Sequence, residues 1–132
     1  MIKTKLIAKF MDGRIKKGYS DDFLLLNETF HMSDASDAKD QEEIRMKDLK
    51  AVFFVDDFAG NSRYLEKKRT SRPTYHNKIS IRFHDGEEII GYANDDYLGS
   101  DVIRLVPVDP LSNNTLIFVV TKNTVSIQPL EE

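Results

Sequence analysis

The chain has 132 residues, 40% of them hydrophobic and 31% charged, a balance that fits one folded domain or two very small ones and excludes a disordered tail. It has no cysteine, which excludes disulfides and thiolate chemistry and fits a cytoplasmic location. The net charge of −3 argues against a protein built mainly to wrap nucleic acid, and no run approaches the ~18 apolar residues of a membrane span.

In chain order, the amino end "MIKTKLIAKF" alternates polar and apolar residues, which predicts a strand over 3–10 with one buried face and no apolar signal core. Asp12-Gly13 is the favoured dipeptide of a tight hairpin, because glycine accepts positive φ. A strand over 14–20 follows, and Gly18 inside it predicts a bend or bulge. Further strands are expected over 23–32, 43–48 and 49–55. The acidic stretch "DASDAKDQEE" (34–43) reads as a solvated loop. Asp34, Asp37, Asp40 and Glu43 recur every third residue there, which is not the spacing of a calcium loop. Residues 56–74 form a linker. Beyond it, strands are expected over 76–84, 87–93, 101–108, 115–121 and 124–129, with a second Asp-Gly turn at Asp85-Gly86 and a second interior glycine at Gly91.

The second set of strands repeats the first. At a constant offset of 73, residues 2–55 lie over 75–128 without a gap. Phe10, Asp12, Gly13, Gly18 and Tyr19 meet identical residues at Phe83, Asp85, Gly86, Gly91 and Tyr92. Leu6 and Ala8 fall on Ile79 and Ile81, so the apolar face recurs as well. The expected fold is therefore all-β. Two tandem five-stranded small barrels occupy residues 1–55 and 75–132.

A barrel of this size buries little surface by itself, so the copies are expected to shield one another. The places where they differ indicate how. Ile44-Arg45-Met46-Lys47 becomes Ile117-Phe118-Val119-Val120, apolar on both faces, whereas Val52-Phe53-Phe54-Val55 becomes Val125-Ser126-Ile127-Gln128. A strand apolar on both faces is covered on both. Phe53 and Val55 are thus expected near Phe118, Val120 or Ile89, at an interface between the copies or between two molecules.

"DGRIKKGYSDDFLLLN" resembles the first Sm motif and "EIRMKDLKAVFF" the second, so each half resembles an Sm-like or SH3-like small barrel. Arg45 is followed by Met46 where the Sm RNA pocket has glycine, and the resemblance carries no RNA site. On "KAVFFVDDFAGN" (50–61) and "PVDPLSNNTLIFVV" (107–120), the whole chain is similar to a small bacterial family of unknown function.

Searching for chemistry yields little. His31, His76 and His84 share no metal-ligand spacing, and no nucleophile or phosphate-loop motif is present. The expectation is a non-catalytic binding or scaffolding module without cofactor or metal, with a protein partner or a second copy of the chain, and no membrane association. The alternative rests on the basic run Lys67, Lys68, Arg69 and Arg72, flanked by Tyr64 and Tyr75, where cations beside aromatics suit phosphates and bases. Lys68 and Arg72, with "NDDYLG" (94–99), resemble the PilZ domain. That resemblance implies a cyclic dinucleotide as ligand; RNA is the other candidate.

Overall fold

The computed structural model describes residues 4–23, 28–59, 72 and 75–130. The strands are β1 (Thr4–Phe10), β2 (Ile15–Ser20), β3 (Thr29–Asp34), β4 (Gln41–Arg45), β5 (Leu49–Val55), β6 (Lys78–Arg82), β7 (Glu88–Ala93), β8 (Val102–Pro107), β9 (Asn114–Val120) and β10 (Ser126–Pro129). Short 3-10 turns at Met46–Asp48 and Thr121–Asn123 precede the last strand of each half. The protein is all-β, and no α-helix occurs among the described residues.

Two separate barrels were expected, and the sheet corrects that. All ten strands form one open antiparallel sheet in the order β10-β6-β7-β8-β9-β5-β1-β2-β3-β4. The physical reason is the seam between β5 and β9. Ala51, Val52, Phe53 and Phe54 stand opposite Val119, Phe118, Ile117 and Leu116, which joins the halves by a backbone ladder instead of by side-chain packing alone.

Strand formation follows the period-two apolar pattern. Leu6, Ala8 and Phe10 enter one core with Phe30, Met32 and Ile44, whereas Ile79, Ile81 and Phe83 enter a second with Ile103 and Leu105. Alternate residues of a strand face opposite sides, so β5 serves both cores. Leu49 and Val52 join the first, and Ala51, Phe53 and Val55 join the second. Strand β9 does the same with Phe118 and Val120 in the first core and Ile117 and Val119 in the second.

The Asp-Gly hairpins are alike. Gly13 and Gly86 have φ of 94° and 88°. Asp12 accepts the Arg14 N–H at 2.9 Å, and Asp85 accepts the Glu87 N–H at 3.0 Å. The ladders run through both interior glycines without a bulge. The register shifts fall at Lys9/Phe10 and Phe54/Val55, away from Gly18 and Gly91. What requires glycine is close approach of the next strand: a Cβ on Gly18 would lie 1.8 Å from the Ser33 carbonyl oxygen, and one on Gly91 2.8 Å from that of Val106.

Strand β3 begins later than expected and β4 earlier. Phe23 stands outside any strand, its ring against Phe30, Phe54 and Phe118. Glu43 belongs to β4, not to the acidic loop, because the Asp34 N–H closes on the Asp40 carbonyl at 2.9 Å and starts the ladder there.

Candidate protein-interaction edge

An open sheet has two edges, and here they are β4 and β10. The N–H groups of Asp34 and Met46 donate to the carbonyls of Asp40 and Glu28, at 2.9 and 2.8 Å. These bonds bracket β4 and fix its parity. Glu42 and Ile44 turn their backbone groups to β3, and in an antiparallel ladder the intervening residues turn theirs away. Gln41, Glu43 and Arg45 therefore direct three N–H and three C=O groups outward. At β10 the Leu130 N–H donates to Lys78 at 2.8 Å, which leaves Ile127 and Pro129 facing outward. Proline has no N–H, so this edge offers a single outward donor, on Ile127.

The charges beside β4 are partly spent within the fold. Arg14 forms a two-pronged pair with Glu42, its Nη1 at 2.6 Å. Buried Lys16 places its Nζ 3.4 Å from Glu42 and 3.8 Å from Asp34. The Arg14 hydrogen bond holds the Glu42 carboxyl below its ordinary range. Glu43 and Arg45 are both exposed, and the Glu43 carboxylate lies 3.9 Å from His31 Nε2. An open cleft of about 490 Å³ runs alongside, lined by Phe10, Arg14, Glu43, Arg45, Lys47 and Asp48 among others.

A second charge cluster clamps the seam. Lys50, on β5, is buried, with Nζ 2.8 Å from Asp85 and 2.5 Å from Glu87. Burial alone would lower its pKa, but the two carboxylates outweigh it and the net direction is upward. Nζ also lies 4.7 Å from the centre of the Phe83 ring. Asn123 adds a polar clamp, donating to the carbonyls of Lys47 and Leu49 at 3.0 and 2.7 Å. Neither the Lys50 cluster nor the Asn123 clamp was legible in the sequence, since each pairs residues more than 30 positions apart with no motif.

Near β2 and β3, His31 Nδ1 lies 2.8 Å from Asp22 Oδ2, and Ser20 donates to Asp22 Oδ1 at 3.1 Å. The serine meets the carboxylate and not the imidazole, so this trio lacks the hydroxyl–imidazole contact of nucleophilic catalysis. Asp22 raises the pKa of His31 by hydrogen bonding. Among the described residues no group of three or more His, Cys, Asp or Glu is placed to hold a metal.

Of the basic-run candidates, Tyr64, Lys67, Lys68 and Arg69 lie outside the described residues. The Arg72 guanidinium donates to the Pro107 carbonyl at 3.1 Å and stacks 4.7 Å from the Tyr75 ring, while its backbone N–H donates to the Tyr92 hydroxyl at 2.9 Å. Arg72 and Tyr75 are thus docked on the second half. In the 94–99 loop the Asn94 amide is taken by Asp96 at 2.5 Å. Of the seam candidates, Phe53, Val55 and Ile89 meet in the second core, and Phe118 and Val120 sit in the first.

No helix among the described residues is long and apolar enough to cross a membrane. No curated protein and no solved structure matches the chain. A model of a family of unknown function, DUF6982, matches residues 2–131, and the chain belongs to that family.

Proposed function

We propose that the chain is a non-catalytic, cytoplasmic protein-interaction module, built by duplication of a five-stranded Sm-like or SH3-like unit, and that a partner protein adds a strand to β4. Duplication is supported by the matched spacing of the second and third strands of each half. β2 and β3 begin at Ile15 and Thr29, and β7 and β8 begin 73 residues later, at Glu88 and Val102. The order β5-β1-β2-β3-β4 in one half corresponds to β10-β6-β7-β8-β9 in the other. Small barrels host unrelated roles, so the functional reading rests on the edge itself.

The observation that carries it is the asymmetry of the two edges. β4 presents the outward backbone groups of three residues beside a cleft, whereas Pro129 blunts β10. Strand addition draws affinity from such main-chain groups. A photoreactive residue at Gln41, and in parallel at Gln128, would capture the partner in cells. Binding of that purified partner to the full chain is then measured with Glu43→Pro and Ile127→Pro. Glu43→Pro removes an outward donor without touching the β3 ladder, so it should abolish binding while Ile127→Pro leaves it intact. Equal binding by both variants overturns the reading. Salt-sensitive binding of a cyclic dinucleotide or short RNA, lost in Arg72→Glu, would favour the alternative.

A further inference from the structure

We infer that β4 is a selective edge, which accepts a partner strand carrying an acid, an apolar residue and a base in succession and rejects the chain's own β10. The inference rests on the strand-addition reading above. It comes from using the β5–β9 seam as a template for what β4 would take.

At the seam, Ala51 and Val52 stand opposite Val119 and Phe118, and the next step of that register sets Lys50 against Val120. Val120, Val119 and Phe118 pair with β8 where Arg45, Ile44 and Glu43 pair with β3, the Val102–Val120 pair matching Thr29–Arg45. An incoming strand in the same register thus sets three consecutive residues across from Arg45, Ile44 and Glu43. Directly opposed side chains share a face. Arg45 and Glu43 are exposed and Ile44 is buried in the first core. A carboxylate across from Arg45, an apolar side chain across from Ile44 and an ammonium or guanidinium across from Glu43 complement all three.

The chain's own β10 does not supply this pattern. In the same register it would offer Val125, Ser126 and Ile127. Val125 would cover the Arg45 guanidinium, which loses water and gains no partner. The seam's closing bonds are missing too. Asp56 donates its N–H to the Asn113 carbonyl at 3.0 Å, and the Asn113 side chain holds Asp57 by bonds of 2.9 and 2.8 Å. In the seam's register Pro129 would face Gln41 with no N–H to donate, and the 34–40 loop, DASDAKD, has no asparagine to repeat the clamp. These mismatches set a foreign strand apart from a second copy.

Three labelled peptides test this by fluorescence anisotropy on the full chain at low salt. The first carries the Leu49–Val55 sequence with Lys50→Glu and Val52→Lys. The second carries the two charges exchanged. The third is the 124–130 sequence. The first should bind about tenfold more tightly than the second, and the third should not bind. The double variant Glu43→Lys/Arg45→Glu, both at exposed positions, should invert the preference between the first two. If the first two bind equally and protect the Glu43 and Arg45 amides from exchange, strand addition stands and the charge pattern is wrong. Tighter binding of the third peptide, or concentration-dependent self-association lost in the double variant, assigns the edge to a second copy and overturns the inference. Failure of all three to bind overturns strand addition and the inference together.

Discussion

The Lys50 ammonium lies 2.8 Å from the Asp85 carboxylate, so a buried cation of the first half is neutralised by the hairpin of the second. Lys50 holds the Asp85 carboxyl below its ordinary value. Glu87 is also lowered: burial pushes it up, but hydrogen bonding and attraction from Lys50 and Lys9 prevail. Carboxyls lowered on folding contribute stability above their unfolded pKa of ~4, and that contribution is lost as pH falls through the lowered values. Lys50→Met should therefore lower Tm by about 5 °C at pH 7, and the gap to the native protein should narrow below about pH 4. A gap unchanged at pH 3 in thermal melts would mean the cluster does not hold the seam.

The interior glycines are ranked by the space each has. Gly18→Ala would place a Cβ 1.8 Å from a backbone oxygen, against 2.8 Å for Gly91→Ala. Overpacking of the second kind costs about 1–3 kcal/mol, and the first is expected to prevent folding. Gly13→Ala meets no atom within 4 Å and suffers only from its φ of 94°, about 1–2 kcal/mol. Urea denaturation gives the order directly, and a Gly18→Ala protein as stable as Gly91→Ala would contradict the described β2–β3 approach.

Equivalent strands of the two halves should respond oppositely. Phe118→Ala removes a side chain that is 5% exposed and should cost about 3–5 kcal/mol. Arg45→Ala, on the exposed edge strand that corresponds to β9, should stay within about 0.5 kcal/mol of the native protein. Phe53→Ala belongs with Phe118→Ala, since both side chains fill the seam. Comparable losses for Phe118→Ala and Arg45→Ala would place β4 inside a contact, not at an edge.

His31 reports on Asp22. A histidine raised by its partner contributes stability that is complete below its unfolded pKa of ~6.5 and lost as pH rises through the folded value. NMR titration should place His31 above that reference, and Asp22→Asn should return it. The same midpoint in both proteins would show that the 2.8 Å contact does not persist in solution.

Much of the architecture was legible because strands leave a local signature. Leu6, Ala8 and Phe10 alternate, Asp-Gly marks each hairpin, and the 73-residue offset holds through the third strand of each half, beyond which the paired strands match at 75. The difference in apolar content between Phe118 and Arg45 also pointed to β9 and β5 as covered strands. What was not legible depends on partners distant in sequence. Nothing local says that Val52 will ladder with Phe118, so separate barrels and one continuous sheet read alike. The Lys50 cluster and the Asn123 clamp are invisible for the same reason. The open edge was obscured by composition: Glu43 sits in an acidic run that resembles a loop until the Asp34–Asp40 bond is seen.

Residue-resolved amide exchange tests the central claim most directly, that the halves are welded at β5–β9 and open at β4. Val52, Phe53, Phe54, Leu116 and Phe118 should exchange only through global unfolding, while Gln41, Glu43 and Arg45 exchange rapidly. Rapid exchange across Val52–Phe54, or protection of Glu43 and Arg45 equal to theirs in the isolated protein, would contradict it.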